Sequence, residues 1–313
     1  MSSRLLVTGA NGFIGKSLCQ QVTSQGGYVR KATTKPVIGD DYHLDKITCD
    51  TNWEPALRNI DCIAHLAGRV HVMKEIVNDP MMAFRNVNVD GTLNLAKQAI
   101  DAGVKRFIFI STIKVNGEET LPGVPFNADD IPSPKDPYAI SKWEAEVGLN
   151  RLAENSDMDV VIIRPPLVYG PGVSANFRAL MMLLSKGIPL PFKMIDNKRS
   201  FIALDNIVNL IIRCVDHPAA GNNIYLASDG TDISTADLVS MIAKFMGKPA
   251  HLFSMPKALL KMAAVLSGQK AVAQRLLGSL EIDISKTERV LGWTPPVSIE
   301  EELEKTVAHF MKT

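Results

Sequence analysis

Tyr138 and Lys142 are four residues apart in the segment 136–146, and this spacing places both side chains on one face of a helix. Pro137 suits the first turn of that helix. A free tyrosine has a pKa near ~10, but a neighbouring ammonium group favours the phenolate. The pair predicts proton exchange with a hydroxyl or carbonyl group of a substrate. Taken alone, the same spacing is typical of an ordinary helix face.

Two further hydroxyl groups stand at the end of the strand predicted over 107–111. Ser111 and Thr112 would be presented to a substrate at this strand end, and Thr112 has the better position. The candidate catalytic residues are therefore Tyr138, Lys142, Thr112 and Ser111, with Thr112 and Tyr138 also as substrate contacts.

A glycine-rich turn joins the first predicted strand to the first predicted helix. Gly9 permits a tight turn, Gly12 lets backbone N–H groups approach a pyrophosphate, and Gly15 allows close packing of helix on strand. The start of the helix adds partial positive charge. The turn predicts a dinucleotide site that includes Gly9, Asn11, Gly12, Phe13, Ile14 and Gly15. With a nicotinamide bound there, Tyr138 would exchange a proton while hydride moves.

The end of the second predicted strand normally distinguishes NAD from NADP, because a carboxylate there binds the ribose 2′-hydroxyl. Thr33 or Thr34 stands in that place, and Arg30, Lys31 and Lys35 are close in sequence. A 2′-phosphate would meet no repulsion, so the cofactor is NAD or NADP with a preference for NADP; solvated strand-end cations are the alternative. Asp50, at the end of a third short strand, and Thr51 are candidates to contact the adenine, or to cap a loop.

Short apolar runs alternate with helical patterns along the first half of the chain, which indicates βαβ units. Strands are predicted over 4–8, 28–32, 62–66, 107–111 and 160–164, and helices from Gly12 and over 94–102. We therefore predict an α/β fold: a Rossmann-type doubly wound parallel sheet with a smaller C-terminal α+β substrate-binding region. The dinucleotide domain would span 1–165 with 201–228 returning to it, and the smaller region 166–200 and 229–313.

The composition favours a small-molecule partner. Lys plus Arg number 34 and Asp plus Glu 33, so no net field attracts nucleic acid. The four cysteines form neither a Cys-x-x-Cys pair nor a zinc spacing, so no metal site is predicted. A cytoplasmic location is expected, because no signal peptide is visible at the N-terminus. The apolar stretch 258–266 is too short to span a bilayer, and an amphipathic helix is expected there.

These motifs, in this order along nearly the whole chain, resemble the extended short-chain dehydrogenase/reductases, particularly nucleotide-sugar 4-epimerases and 4-keto-sugar reductases. The likeness adds His-Leu-Ala-Gly at 65–68, Asn-Val-Asp-Gly-Thr at 88–92 and Arg-Pro-Pro-Leu-Val-Tyr-Gly-Pro-Gly at 164–172. It implies that Lys142 also binds the nicotinamide ribose and that Asn88 supports the active-site framework. By the same resemblance, Leu66, Ala67 and Gly68 pass beneath the cofactor, and Pro165 lies beside the nicotinamide.

The resemblance also implies a nucleotide-diphosphate sugar, UDP-linked, as the substrate. It places Asn176, in the loop after Gly-Pro-Gly, and Arg199 at the diphosphate, with Arg275 as a further candidate or a surface residue. Three departures from the family pattern stand at Thr33, at Leu167, where an Asn is frequent, and at Thr112, where Ser is usual. A homodimer is expected through helices near 81–102 and 142–154.

Four functions remain open on the sequence. The leading hypothesis is 4-epimerisation of a UDP-hexose or UDP-N-acetylhexosamine through a 4-keto intermediate. The runner-up is NADPH-dependent reduction of a 4-keto-6-deoxy nucleotide sugar. A lipid-linked diphosphate sugar, with 259–266 as the membrane-docking element, and a non-enzymatic NAD(P)-sensing regulator are further alternatives.

Overall fold

The fold is taken from a computed structural model of the chain, which describes residues 3–37, 39–70, 79–266 and 270–313. Its main sheet has seven parallel strands in the order β10-β6-β5-β4-β1-β2-β3. These strands are β1 Leu5–Thr8, β2 Val29–Thr33, β3 Tyr42–His43, β4 Cys62–His65, β5 Arg106–Ile110, β6 Asp159–Arg164 and β10 Asn223–Leu226. The strand order reverses between β1 and β4, and ligands of open α/β sheets bind at such a reversal.

The central strands are buried on both faces, as expected for a sheet covered by helices on each side. Successive residues of β1 point to opposite faces, so Leu5 and Val7 pack into one apolar core while Leu6 packs into the other. The first core also takes in residues of α1 Phe13–Ser24 and α7 Leu204–Asp216. The second is covered by α2 Glu54–Leu57, α4 Thr92–Asp101 and α5 Pro137–Ala153. The doubly wound fold predicted from the sequence is confirmed.

Between β4 and α4 the chain forms α3 Pro80–Arg85 and then a single π-helical turn, Asn86–Gly91. A 3-10 turn, Ile113–Val115, follows β5. Asp79 caps α3 by accepting the Met82 N–H at 3.0 Å. Turns of the π type inside helices are frequent at functional sites, and this one carries Asn88.

A third apolar core holds the remaining helices together. Its main contributors are α6 Ala175–Ser185, α8 Thr235–Phe245 and α12 Ile299–Lys312, with α9 Lys257–Leu266 and α10 Lys270–Leu277 at its margin and α11 Ser285–Leu291 beside β10. Two short two-stranded sheets complete it: β7 Val168–Tyr169 with β9 Ile202–Ala203, and β8 Arg199–Ser200 with β11 Asp232–Ile233.

The predicted elements agree with the structure to within one or two residues at most ends. Strand β10 falls inside 201–228, the part of the chain expected to return to the sheet. The stretch 258–266 forms the amphipathic helix α9. Within the described residues, no helix combines the length and apolarity needed to cross a bilayer.

Candidate active site

The glycine turn between β1 and α1 brings three backbone segments into close contact. Gly9 has a φ of +68°, and a Cβ there would lie 2.8 Å from the Ala67 nitrogen. A Cβ on Gly15 would lie 2.2 Å from the Gly9 oxygen. Both positions therefore exclude any side chain. Gly12 precedes α1 and no side chain caps that helix, so the first N–H groups of α1, including those of Phe13 and Ile14, face the turn. This cradle fits a pyrophosphate.

Thr33 is the last residue of β2 and is buried beside the glycine turn. The Asn11 amide donates a hydrogen bond to its hydroxyl, which also accepts the Lys35 N–H at 3.1 Å. Thr34 is exposed. Arg30 turns away from this strand end, because its guanidinium donates to the backbone oxygens of Ala56 and Arg58 at 2.9 and 2.8 Å.

Lys31 pairs with Asp41 at 3.5 Å. Two of the three cations expected near a 2′-phosphate are therefore held elsewhere, which removes much of the physical basis for a preference for NADP.

Asp50 does not end a strand, contrary to the sequence-based expectation. The third strand, β3, ends at His43, and Asp50 lies in an exposed turn several residues later. Side chains of α4 hold this turn in place: Asn94 and Gln98 donate to the backbone oxygen of Thr51 at 2.7 and 2.9 Å. The local pattern of apolar residues does not indicate such a turn. The Thr51 hydroxyl also accepts the Thr48 N–H at 2.9 Å, so side-chain hydrogen bonds fix the turn.

The loop after β4, which carries Leu66, Ala67 and Gly68, is tied to β1 by a buried polar chain. The Ala67 N–H donates to the Thr8 hydroxyl at 3.2 Å, that hydroxyl bonds His65 Nδ1 at 2.7 Å, and His65 Nε2 bonds the Thr92 hydroxyl at 2.9 Å. Burial, and then the positive charge of Lys142, lower the pKa of His65 to about 3. The imidazole is therefore neutral at physiological pH and fixes the loop.

Asn88 connects that loop to the helix of the Tyr–Lys pair. Its Oδ1 accepts the Arg69 N–H at 2.7 Å, and its amide donates to the Arg69 oxygen and to the Ser141 hydroxyl, both at 3.0 Å. Ser141 in turn donates to the backbone carbonyl oxygen of Tyr138 at 2.8 Å. A Cβ on Gly68 would lie 3.1 Å from Asn88 Oδ1. Asn88 therefore acts as a clamp between the loop and α5, and Ser141 is a participant that the sequence argument missed.

Helix α5 presents Tyr138 and Lys142 to the carboxyl edge of the sheet. Asp136 caps it by accepting the Ala139 N–H at 2.7 Å, and Pro137 occupies the first turn. The Lys142 ammonium is buried and lies 3.8 Å from the Phe109 ring centroid, a cation–π contact. The ring of Tyr138 packs edge-on against Phe84 with centroids 6.1 Å apart. Both side chains are therefore held in fixed positions.

Burial shifts the pKa values of both members of the pair. Burial raises the pKa of Tyr138 to about 12, and the Asp136 carboxylate adds to this. Burial lowers the pKa of Lys142 to about 7, against the opposing charge of Glu146. Burial and Asp136 therefore favour the neutral phenol, whereas a positive charge placed beside Tyr138 would favour the phenolate.

The Ser111 hydroxyl, predicted as a catalytic group, is engaged within the protein. It is buried and donates to the Glu146 carboxylate. Arg164 binds the same carboxylate through Nε at 3.1 Å and Nη2 at 2.5 Å, and its Nη1 donates to Asn116 at 2.9 Å. Ser111 is thus part of a buried ion-pair network that joins β5, α5 and β6. The residues that form this network with it were not predicted because they come from distant parts of the chain.

Thr112 lies two residues beyond the end of β5. Its side chain accepts the Lys114 N–H at 3.3 Å, and the residue is buried. The Pro165 oxygen, at the end of β6, accepts the Ile113 N–H at 2.9 Å and so fixes the turn that carries Thr112. Lys114 also forms an ion pair with Asp136, which links this turn to the start of α5.

Two of the three predicted diphosphate ligands lie together. The Arg199 guanidinium donates to the Gly278 oxygen at 2.9 Å, just beyond α10, which carries Arg275 in its last turn. Burial lowers the pKa of Arg199 to about 10; the Glu119 carboxylate opposes this shift and the Arg275 charge adds to it. Asn176 is not in a loop: it is exposed in the first turn of α6. Ala175, the first residue of α6, has a positive φ of +54°. The chain changes direction there, and the sequence pattern did not indicate this.

A dinucleotide cradle beside a rigid Tyr–Lys helix defines an enzyme of the short-chain dehydrogenase/reductase type. Comparison with known proteins agrees. Residues 5–227 match the NAD dependent epimerase/dehydratase family, and the chain belongs to that family. A UDP-glucose 4-epimerase of Vibrio cholerae is 45% identical to it over 100% of this chain and 97% of the relative.

Solved structures share the fold. The crystal structure of UDP-glucuronic acid 4-epimerase from Bacillus cereus in complex with NAD has a TM-score of 0.79 at 22% identity and covers 99% of this chain and 96% of its own. The UDP-glucose 4-epimerase of Thermotoga maritima with UDP-glucose has a TM-score of 0.76 at 24% identity, with 99% of each chain covered. The family is NAD-dependent, and the preference for NADP finds no support in these comparisons.

Proposed function

We propose that this enzyme interconverts the C4 configurations of a UDP-hexose or UDP-N-acetylhexosamine and uses NAD as its cofactor. The observation that carries the proposal is the similarity to a UDP-glucose 4-epimerase along the full length of the chain, at 45% identity. The catalytic helix supports it, because Tyr138 and Lys142 are both present and both are held in place by neighbours.

In this mechanism Tyr138 accepts the proton of the C4 hydroxyl, and Thr112 donates a hydrogen bond to the same oxygen. The bound dinucleotide supplies the acceptor and later the donor of the C4 hydride. Lys142 orients the nicotinamide ribose, and its charge favours the phenolate of Tyr138 as the proton is taken. Rotation of the 4-keto sugar within the site would present the opposite face of C4 to the returning hydride, and Tyr138 would give the proton back to the C4 oxygen.

NAD is favoured over NADP by the end of β2. Thr33 and Asn11 form a neutral pair where the ribose would lie, while Arg30 and Lys31 are engaged with backbone oxygens and with Asp41. A 2′-phosphate would therefore gain little compensating charge. Release of the bound nucleotide by denaturation, followed by chromatography, identifies it directly; recovery of NADP would contradict this assignment.

At the substrate end, Arg199 and Arg275 are proposed to bind the diphosphate. The Arg275 charge acts on Arg199, and two neighbouring guanidinium groups would suit two adjacent phosphate groups. The exposed Asn176 is a proposed neighbour of the same group.

A homodimer is also proposed, through the helices α3 to α5. Met82 and Trp143 are exposed on adjacent helices, and Arg85 binds Glu144 at 2.5 Å between them, so these helices form one continuous outer face. Sedimentation velocity of the purified protein tests this: a monomer at micromolar concentration would contradict it.

The test of function is a C4 assay by NMR. Purified protein is incubated with UDP-glucose and with UDP-N-acetylglucosamine, without added reductant, and the configuration at C4 is followed. We expect formation of the galacto product from one or both. Stoichiometric NADPH oxidation with a 4-keto-6-deoxy nucleotide sugar, and no epimerisation, would establish the reductase instead.

Tyr138→Phe should lower kcat by about 10²–10⁴-fold, because it removes the proton-transfer group, while NAD stays bound. Tyr225→Phe is the matched control: its hydroxyl donates to the Ala219 oxygen at 3.1 Å at the far edge of the sheet, and its loss should leave kcat unchanged. Equal kcat in the Tyr138→Phe variant and the parent would refute the assigned role.

A further inference from the structure

Helix α9 has its apolar side chains on the outside. It contains no buried residue, and Leu259, Met262 and Leu266 are 47, 55 and 82% exposed. These three positions follow the i, i+3, i+7 spacing of one helix face. Leu260, on the opposite side, contacts the third apolar core. The helix therefore packs on the protein through one face and exposes apolar side chains on the other.

The same surface continues onto a second segment of the chain. The loop after α6 runs beside the segment that leads into α9: Leu190 donates to the His251 oxygen at 2.9 Å and accepts the Phe253 N–H at 3.0 Å. Met194 and Phe253 are exposed there, at 54 and 42%. Within the described residues, the segments 165–195 and 238–280 contain ten of the 17 large apolar side chains that are exposed.

Charge distinguishes this surface from the rest of the molecule. The full sequence is nearly balanced, with 34 basic and 33 acidic residues, yet 165–195 and 238–280 contain no Asp or Glu and nine Lys or Arg. Lys257 and Lys261 lie on α9 itself, and Lys186 and Lys193 on the neighbouring loop. Asp196, at the boundary, forms an ion pair with Lys257. The surface is therefore apolar with a basic margin.

We propose that α9 and the adjoining loop form a docking surface for an anionic phospholipid membrane. An amphipathic helix with exposed apolar residues and flanking lysines lies in the bilayer interface, with its apolar face among the acyl chains and its ammonium groups at the headgroups. A second copy of this chain is a poorer occupant, because a two-fold interface would bring two acid-free surfaces, with their lysines, against each other. The surface also adjoins α10, whose Arg275 is a proposed diphosphate ligand.

Vesicle flotation of the full-length protein tests this. We expect the protein to bind vesicles of phosphatidylcholine with phosphatidylglycerol and to remain unbound with phosphatidylcholine alone. Binding should fall when the ionic strength is raised from ~0.1 M to ~1 M, since the screening length shortens about threefold. No flotation with anionic vesicles, or equal flotation with both kinds, would overturn the proposal.

The variant Leu259→Ser/Met262→Ser/Leu266→Ser should lose vesicle binding by on the order of tenfold or more, because it removes the apolar contacts. Its matched control is Ile131→Ser/Met311→Ser, which removes two exposed apolar side chains outside both segments and should bind as the parent does. Unchanged binding of the triple variant would overturn the proposal. A parent protein that does not float but self-associates through these residues, detected by sedimentation velocity, would identify the surface as an interface between copies.

The triple variant should keep the parent's turnover of soluble UDP-sugars, since none of its three positions belongs to the site. Loss of membrane binding and loss of C4 chemistry are thus measured separately, and either proposal can fail without the other.

Discussion

Helices α5 and α9 both depart from the usual arrangement of apolar residues inside and polar residues outside, and they depart in opposite directions. Helix α5 buries Ser141, Lys142 and Glu146 and leaves Trp143 exposed. Helix α9 buries no residue and exposes Leu259 and Leu266. Each departure costs stability and needs a reason outside the helix itself. For α5 the reason is chemistry at the sheet edge; for α9 we propose a surface outside the molecule.

The difference lies in how the unusual side chains are satisfied. Each buried polar group of α5 has a partner within the protein: Lys142 contacts Phe109, Ser141 binds Asn88, and Glu146 binds Arg164. The exposed side chains of α9 face solvent. Substitutions of the buried residues of α5 should therefore lower the free energy of unfolding. Substitutions on the outer face of α9 should change membrane binding and leave the free energy of unfolding almost unchanged.

The largest effect is expected at the buried ion pair. Arg164→Met removes the ion pair of the buried Glu146 carboxylate and leaves it the Ser111 hydroxyl bond and the nearby Lys142 charge, and we expect it to lower the free energy of unfolding by about 3–5 kcal/mol. Urea denaturation measures this. The double variant Glu146→Leu/Arg164→Met removes both charges and should be more stable than Arg164→Met alone. If the double variant is the less stable of the two, an uncompensated charge is not the cause.

The next effect is a dependence of stability on pH caused by Lys142. Its folded pKa is lowered to about 7 from 10.5, so the unfolded chain binds the extra proton between these two values. Stability should therefore rise with pH above ~7, by at most about 2–3 kcal/mol up to pH ~9. Denaturation midpoints across this range, at matched NAD content, measure the rise, and Lys142→Met should abolish it. The same slope in Lys142→Met would assign the titration to another group.

A smaller effect is expected at the cap of α5. Asp136→Ala removes the bond to the Ala139 N–H and should cost about 1 kcal/mol. Asp136→Asn retains a cap oxygen but removes the charge that raises the Tyr138 pKa. We therefore expect Asp136→Asn to keep most of the stability and to shift the alkaline rise of kcat, which follows the phenolate, to lower pH. A pH–rate profile unchanged in Asp136→Asn would show that this carboxylate does not act on Tyr138.

The smallest effect is expected on α9. Leu259→Ser replaces a side chain that is 47% exposed, and surface substitutions of this kind stay within about ±0.5 kcal/mol. Thermal melting tests it, with the buried Leu149→Ser on α5 as the contrasting substitution. A large loss at Leu259 would mean that its side chain is covered within the protein and would remove the difference between the two helices.

The local signals of the sequence were sufficient for the sheet, the glycine turn and the Tyr–Lys helix. Gly9 and Gly15 are required by backbone contacts next to them, and strands such as β4 and β5 appear as short apolar runs. Such features depend on neighbours in sequence or on burial alone, and both leave a mark in the residue pattern.

What the sequence did not show depends on residues far apart in the chain. Glu146 and Arg164 are paired because α5 packs across β6, and the Glu146 carboxylate also accepts the Ser111 hydroxyl. The turn at Asp50 is held by Asn94 and Gln98 on another helix. Such contacts leave no periodic pattern in the sequence. A sequence-based prediction therefore cannot distinguish a free hydroxyl at a strand end from one that is bound to a distant carboxylate.

Strand β10 has a consequence for the order in which the chain is made. It pairs with β6 at the edge of the main sheet, although about sixty residues separate the two in sequence, from Arg164 to Leu226. During synthesis, the other six strands of the main sheet, β6 among them, leave the ribosome before β10. Until residues 223–226 follow, one edge of β6 is unpaired. An open, apolar strand edge is a site of mispairing between chains. We expect nascent chains that stop after β6 to aggregate or to be held by chaperones, and chains that include β10 to be released in folded form.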